Sequence, residues 1–247
     1  MHGLDFTLLN WVAWAPGLET NADWSEWAAG HKPLVDDRSS PKLEFVQPML
    51  RRRFSRLTRM ALQVCFSCAA GDHTLRTVFC SRHGEIHRTK TLLDELTRGE
   101  AISPMGFSLS VHNTASGLYS IASENKAPSS AIASGVDTLA MAVIEALGAL
   151  QRQPEAPVLV VLADEPLPEF YAPYDTEQAA PFGLALMLGR AQASPGAGIA
   201  LKLSPAENPA ATGEPHGLAL IRWLCGDAPS CALVGERHGW RWSRAGE

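Results

Sequence analysis

The chain has 247 residues, of which 46% are hydrophobic and 19% are charged, and its formal net charge is −5. This balance is typical of an α/β protein with a full hydrophobic core, and the negative charge gives no support for general nucleic-acid binding. No segment approaches the roughly 20 consecutive apolar residues that a membrane span needs.

The first third of the chain alternates between apolar and polar segments. Residues 6–14 form an apolar run, which predicts a first strand. The polar, tryptophan-containing stretch 20–40 is expected to lie on the surface. From Leu50 to Cys68, apolar residues recur at three- and four-residue steps, which predicts one long amphipathic helix after Pro48.

Arginines occupy the face of this predicted helix opposite its apolar residues. Clustered guanidinium groups attract an anionic partner, although a charged helix face is more often simply solvated. Docking of an acidic partner is therefore the less favoured of two interpretations. The candidates for it are Arg51, Arg52, Arg56 and Arg59.

The five cysteines are scattered, and two of them form a Cys65-x-x-Cys68 pair. No second pair of this kind and no suitable histidine pair completes a metal site. Because cysteine is commonly buried and both fall in the predicted helix, we interpret them as packing residues. We expect no metal and no cofactor, and a cytoplasmic chain with reduced thiols.

Strands and helices alternate in the middle of the chain. Residues 75–80 are predicted to form a strand, and residues 87–98 a helix with Leu92, Leu93 and Leu96 facing inward.

The stretch from Ser103 to Leu139 is the most informative part of the sequence. It contains a small-residue helix at 114–123 and a short strand, Ser129–Ile132, which we expect to be buried. A tight turn at 133–135 follows. The next helix, 136–150, is apolar on nearly all sides, so it is expected in the interior of a layered fold.

Further strands follow this helix. They are predicted at 157–163, 182–188, 198–203 and near 239–243, with a turn at 193–196 and a helix at 216–225. The alternation of strands and helices favours a mostly parallel sheet with helices on both faces.

The segments SPMGFSLSVHN-x-ASGLYSIA and SSAIASG resemble the N-terminal half of β-ketoacyl synthases. Within that family they are most similar to the small chain-length factors of aryl polyene type II polyketide systems. The resemblance covers roughly residues 1–205. It implies a single domain with a thiolase-like layered αβα fold: a complete N-terminal half at 1–190, and a truncated C-terminal half whose remnant is 191–247.

One position departs from the pattern of catalytic family members. Their nucleophilic cysteine follows Thr-Ala, whereas this chain has Ser130-Ala131-Ile132, and isoleucine has no lone pair to give. Better-known chain-length factors carry glutamine there, so their decarboxylase activity is not expected either. The two helper histidines are also missing, because neither His216 nor His238 has the family's sequence context.

The resemblance therefore implies a non-catalytic subunit that pairs with an active ketosynthase. The partner's cysteine would carry the growing chain, malonyl units would arrive on an acyl carrier protein, and this subunit would form part of the channel wall. The arginine face is the candidate docking surface for that carrier protein. The channel and interface candidates are Met105, Phe107, His112, Asn113, Leu118, Ser130 and Ile132.

Some alternatives remain open. His112 is more simply interpreted as a side chain that satisfies buried backbone groups. Ser129, Ser130 and Ser134 lack the Gly-x-Ser-x-Gly context of a serine hydrolase, which favours packing and capping roles. The chain could still be an independent acyltransferase or thioesterase that uses a serine or cysteine. A third hypothesis is a folding partner that stabilises a ketosynthase without shaping its channel.

Overall fold

A mixed β-sheet lies at the centre of the structure, a computed structural model that describes residues 3–174, 180–191, 198–207, 209 and 213–244. Its strands are β1 (Leu4–Trp14), β2 (Arg76–Cys80), β3 (Ser129–Ile132), β4 (Val158–Asp164), β5 (Phe182–Arg190), β6 (Ile199–Ala206), β7 (Ser230–Val234) and β8 (Gly239–Arg244). Within these residues the strand order is β3-β2-β4-β5-β1-β6-β8-β7, so β3 forms one edge.

Helices cover both faces of this sheet. They are α1 (Asn21–Ala28), α2 (Pro48–Arg51), α3 (Arg56–Ala69), α4 (Ile86–Thr97), α5 (Pro104–Ser108), α6 (Thr114–Ser123), α7 (Thr138–Arg152) and α8 (His216–Cys225), with a short 3-10 helix at Glu169–Tyr174. One core cluster joins the sheet to α1, α7 and α8, and a second joins it to α3 and α6. The predicted layered αβα fold is confirmed.

The prediction of a mostly parallel sheet is wrong. Only β3, β2 and β4 pair in parallel, whereas β4 with β5 and all later neighbours are antiparallel. The parallel strands are the ones linked by α-helical crossovers, which a parallel pair requires. After residue 191, β6, β8 and β7 extend the same sheet, so one continuous sheet spans both parts of the expected division at residue 190.

The single helix expected after Pro48 is in fact two helices. The break falls at residues 52–55, where the Ser55 side chain accepts a hydrogen bond of 2.9 Å from the Thr58 backbone N–H and caps α3. A capping side chain starts a new helix because it satisfies one of the free N–H groups of the first turn.

The stretch 20–40 was expected to be a surface segment, and that expectation is wrong for α1. Trp24 and Trp27 are buried in the core, and the Arg222 guanidinium lies 4.1 Å from the Trp27 ring. Thr20 and Asp23 form a capping box that starts the helix. This Thr-x-x-Asp pattern was the available sequence signal.

The expected inward face of α4 is only partly correct. Leu92 is buried, but Leu93 and Leu96 are exposed to 45% and 54%. The helix contacts α5 on its Leu92 side, since a methyl group of Leu92 lies against Gly106. Its other leucines face away from the described residues.

Cys65 and Cys68 are buried free thiols in α3. Burial raises the pKa of Cys68 to about 12 and that of Cys65 well above its usual range. The packing interpretation is therefore confirmed. The predicted turn at 193–196 lies outside the residues that the structure describes.

None of the described helices combines the length and apolar character needed to cross a membrane. The cytoplasmic location stays a prediction.

Candidate functional site

Ile132 ends the edge strand β3, at the carboxyl end of the parallel part of the sheet. The strand was expected to be buried, but its residues alternate between exposed and half-buried because β2 is its only described neighbour. The half-buried Ile132 side chain packs against the core cluster that contains α7. The position that the sequence predicts to correspond to the nucleophile therefore holds an inert, half-buried side chain.

Cys80 is the thiol nearest to this position in the sheet, since it pairs with Ile132 in the register of β2 and β3. It is 4% exposed. Burial raises the pKa of Cys80 well above its usual range, and the charge of Asp164 acts in the same direction. Because the thiolate is the reactive form, a thiol buried in this way is a poor nucleophile.

The turn after Ile132 leads directly into α7. Gly135 has φ +54°, a left-handed conformation that glycine adopts without strain. The Ser134 backbone N–H donates to Thr138 Oγ1 at 2.9 Å, and that hydroxyl donates to the Gly135 carbonyl at 2.7 Å. The predicted strand–turn–helix element is confirmed.

The tip of the β7–β8 hairpin covers this turn. Asp137 accepts a hydrogen bond of 2.7 Å from Trp240 Nε1 and one of 3.2 Å from the Glu236 backbone N–H. A side chain at Gly135 would collide with the Glu236 carboxylate. The hairpin, about a hundred residues away in the chain, therefore closes over the N-terminus of α7. Sequence reasoning missed this contact.

His216, at the start of α8, also contacts the β7–β8 hairpin. Its Nε2 lies 2.8 Å from the Val234 carbonyl, so this nitrogen must donate, because a carbonyl can only accept. His238 lies in the hairpin itself, with its ring edge-on to Trp240. Both histidines thus have structural contacts in this chain.

Little space remains beneath the hairpin. A cavity of about 20 Å³ lies between the turn, the end of β4 and the start of α8. A volume of this size holds about one water molecule. Gly217 lets α8 approach closely, since a side chain there would collide with Phe182 and Leu162. This cavity is therefore too small for an acyl group.

The contacts of Asp137 predict a measurable loss of stability when they are removed. Asp137→Ala should lower the free energy of unfolding by about 1–3 kcal/mol, because the buried Trp240 N–H loses its acceptor. Asp137→Asn keeps an acceptor oxygen and should cost much less. Urea unfolding of the two variants checks this, and equal losses would show that the contact does not matter.

His112 supports the turn that follows β2. Its Nε2 donates to the Ser81 carbonyl at 2.9 Å, and its ring packs against Gly84. Ser81 Oγ donates to Asp164 Oδ1 at 2.8 Å. This geometry matches the interpretation of His112 as a side chain that satisfies backbone groups. The neighbouring Asn113 is exposed and does not cap α6 with its side chain.

The other predicted channel residues lie in different environments. Met105 and Phe107 are exposed to 55% and 63% on α5. Ser130 is half-buried on β3. Leu118 lies on α6 and is only 4% exposed, because it packs in the hydrophobic core. This burial does not support the prediction that Leu118 lines the acyl channel.

Ser129 has hydroxyl partners, not basic ones. Its Oγ lies 2.9 Å from Thr77 Oγ1 and 2.6 Å from Ser116 Oγ. Neither partner can remove its proton, and nucleophilic serines need an adjacent base. These contacts tie β3 to β2 and α6.

Most of the arginines on the predicted face form hydrogen bonds with other segments of this chain. Arg56 bonds to Asp36 Oδ1 at 2.6 Å and to the Ser39 carbonyl, and Arg59 donates to the carbonyls of Pro41 and Arg51. The Arg51 side chain donates to carbonyls in the same loop. Of the four candidate arginines, Arg52 is exposed and the other three are partly buried. Arg52 lies at the break between α2 and α3.

Comparison with known proteins gives one family and several related folds. A family model described as beta-ketoacyl synthase, N-terminal domain, matches residues 24–243. The comparison with curated proteins found no match.

One similar solved structure is a ketosynthase in complex with its chain length factor from Xenorhabdus doucetiae. The match has 29% identity and a TM-score of 0.80, and it covers 99% of this chain and 100% of that chain. The ishigamide ketosynthase/chain length factor matches at 19% identity with a TM-score of 0.63, over 83% of this chain and 67% of that chain. A bacillaene synthase ketosynthase from Bacillus subtilis 168 matches at 12% identity and a TM-score of 0.54, over 75% of this chain and 37% of that chain. The last two matches show the fold alone.

Proposed function

The chain belongs to the beta-ketoacyl synthase family through its N-terminal domain, and we propose that within this family it is a non-catalytic chain-length factor of an aryl-polyene-type polyketide system. It forms a heterodimer with an active ketosynthase and contributes part of the wall of the acyl channel. The observation that carries this proposal is Ile132, an inert side chain at the end of β3, where the resemblance places the nucleophile of catalytic family members.

Three features support a lack of catalysis by this chain. Ile132 cannot attack a thioester, and the neighbouring Cys80 is held as a thiol by burial. The hairpin contact between Asp137 and Trp240 closes the space above the turn. Condensation would then take place at the partner's cysteine.

The free edge of the sheet supports a partner chain. The carbonyls of Pro128 and Ile132 accept from β2, so by alternation the N–H and C=O groups of Ser129 and Ala131 point away from it. An unprotected strand edge is a template for pairing with another strand. Val111, just before α6, and Ile121 on α6 are exposed to 43% and 61%, and α6 contacts β3 through Ser116 and Ser129. Exposed apolar groups of this kind are common at interfaces.

The acyl channel is the finer part of the proposal. Met105 and Phe107 present large apolar side chains to the outside of this chain. At an interface they would contact the partner and the growing acyl chain. Delivery of malonyl units by an acyl carrier protein is proposed to occur mainly through the ketosynthase, with Arg52 as the accessible member of the arginine set. The reaction occurs in the cytoplasm in this proposal.

Co-expression tests the partnership directly. This chain, carrying an affinity tag, and a ketosynthase from the same organism should purify together, and together they should extend acyl chains on a carrier protein. This chain alone should do neither. A chain that stays a monomer in the presence of the ketosynthase, measured by solution scattering, would contradict the proposal.

Covalent labelling separates this proposal from an independent acyltransferase or thioesterase. Incubating the purified chain with radiolabelled acyl carrier protein should leave no label on it. Retention of an acyl group, or release of free acid by the chain alone, would favour the enzyme.

Restoring the cysteine alone should not restore catalysis. Ile132→Cys places a thiol at the end of β3, but the hairpin covers the turn that follows, and the cavity at that turn has a volume of only about 20 Å³. We expect no acyl-enzyme by intact mass spectrometry, under conditions in which the partner ketosynthase is acylated completely. Stoichiometric acylation of the variant would show that the site can still open.

A further inference from the structure

Residues 42–53 form a basic segment on the surface of an acidic chain. They contain four basic residues and one acidic residue, Glu44, whereas the chain as a whole has a net charge of −5. Lys42, Arg52 and Arg53 are exposed, and within the described part of the chain none of their side chains pairs with a carboxylate. These three cations are therefore available to an anionic partner.

The same segment presents large apolar side chains beside these cations. Phe45 and Met49 are exposed to 60% and 72%. Met49 Sδ lies 4.0 Å from Nη1 of Arg52, so an apolar and a cationic side chain are in contact at the surface. Leu43 and Val46 of the same segment are buried in the core. Because these two residues fix the backbone, the fold itself holds the neighbouring apolar side chains toward solvent.

This combination of side chains indicates the chemistry of the partner. The cations favour an anionic surface, and the apolar side chains favour one with an apolar interior. A bound peptide helix would need a hydrophobic groove on this chain, whereas Phe45 and Met49 project with most of their area in contact with solvent. Projecting apolar groups beside cations suit a lipid bilayer, where they enter between the headgroups while the cations contact the phosphates.

We propose that this segment docks on the surface of a bilayer that contains anionic phospholipids. The docking patch consists of Lys42, Phe45, Met49, Arg52 and Arg53. Binding is weak and reversible, since each basic residue near an anionic surface contributes only about a fivefold gain in affinity. The negative charge of the rest of the chain opposes binding in other orientations. This proposal does not require a ketosynthase partner and is independent of the proposed function.

Sedimentation of the full chain with lipid vesicles tests the proposal. Vesicles made of equal parts of phosphatidylglycerol and phosphatidylcholine should carry the chain into the pellet, and vesicles of phosphatidylcholine alone should not. Raising the salt concentration from about 0.1 M to about 1 M should release the chain, because the Debye length falls from about 10 Å to about 3 Å. A chain that stays in the supernatant with the anionic vesicles would overturn the proposal.

Substitutions at exposed positions locate the contact on the docking patch. Arg52→Ala and Met49→Ala should each weaken vesicle binding by about fivefold, because one charge or one inserted apolar side chain is lost. Glu44→Gln removes a repulsive charge and should strengthen binding by about the same factor. Arg152→Ala and Phe170→Ala, which remove an exposed arginine and an exposed ring elsewhere in the chain, are the matched controls and should change binding little. Equal weakening by the control variants would contradict a contact at the docking patch.

Two further measurements separate a lipid surface from a protein partner. If Arg52→Ala loses binding to an acyl carrier protein but keeps normal binding to vesicles, the docking patch serves an acidic protein and the proposal fails. The complex with ketosynthase should sediment with anionic vesicles as the free chain does. Loss of vesicle binding in the complex would show that the partner covers the docking patch, which also overturns the proposal. Because the free chain is used first, a negative vesicle result leaves the proposed heterodimer unaffected.

Discussion

Replacing Ala131 by proline is expected to weaken binding to the ketosynthase ten- to hundredfold while the chain itself stays folded. Ala131 lies in the edge strand β3, and its N–H and C=O groups point away from β2. Proline removes that outward N–H and no hydrogen bond within this chain. The partner's acceptor would then be buried without a donor. The expected result is a ten- to hundredfold higher Kd, from about 1–3 kcal/mol.

Two control variants, one at Ala131 itself and one at the neighbouring Ser130, test whether the effect comes from the outward N–H group. Ala131→Val keeps the N–H and adds a β-branched side chain, so it should bind nearly as well as wild type. Ser130→Pro removes an N–H that points toward β2 and should lower the Tm of the chain itself. Binding is measured by surface plasmon resonance and folding by circular dichroism. Normal affinity of Ala131→Pro would show that the partner does not pair with β3.

The sequence predicted local elements better than their arrangement. The strand at 157–163 and the helix at 216–225 lie within one residue of β4 and α8, because apolar periodicity reflects which side chains face the core. The helix after Pro48 was predicted too long. The periodicity continues through residues 52–55, but the Ser55 cap ends it locally.

Tertiary features were missed for a different reason. The order of the strands depends on contacts between distant segments, such as β1 inserted between β5 and β6. Trp24 looked like a surface residue because its short helix is mostly polar, yet α8 covers it. No local pattern around Asp137 indicates that Trp240 will contact it.

The sequence predicted the local element around Ile132, whereas its assignment as a degenerate nucleophile position stays a prediction. The motif around Ile132 located the turn before α7. The hairpin that closes it could be found only from the folded chain, because Asp137 and Trp240 meet in space while lying far apart in sequence.

These observations divide the proposed roles between two surfaces. The turn after Ile132 is covered by this chain's own hairpin, and the proposed function assigns it a structural role. The edge strand and α5 are open and present unpaired backbone and apolar groups. A subunit that influences a reaction without performing it would be expected to keep its contact surface and lose its reactive cavity.

Phe107→Ala is expected to shift the products of the complex toward longer chains without breaking the complex. Phe107 is 63% exposed on α5, so its removal leaves the core of this chain intact. If its ring closes the end of the acyl channel, truncation makes room for further extension, because overlap with a closed wall costs roughly 1–3 kcal/mol. Mass spectrometry of chains released from the carrier protein measures the distribution.

Phe45→Ala is the matched control, since Phe45 is similarly exposed, at 60%, but packs on Phe66 of α3. It should leave both assembly and product length unchanged. Three outcomes then separate the hypotheses. Longer products from Phe107→Ala alone support a wall that sets chain length. Unchanged products with an intact complex favour a folding partner that only stabilises the ketosynthase. Equal shifts in both variants would indicate that product length follows the stability of the complex and not the shape of a channel.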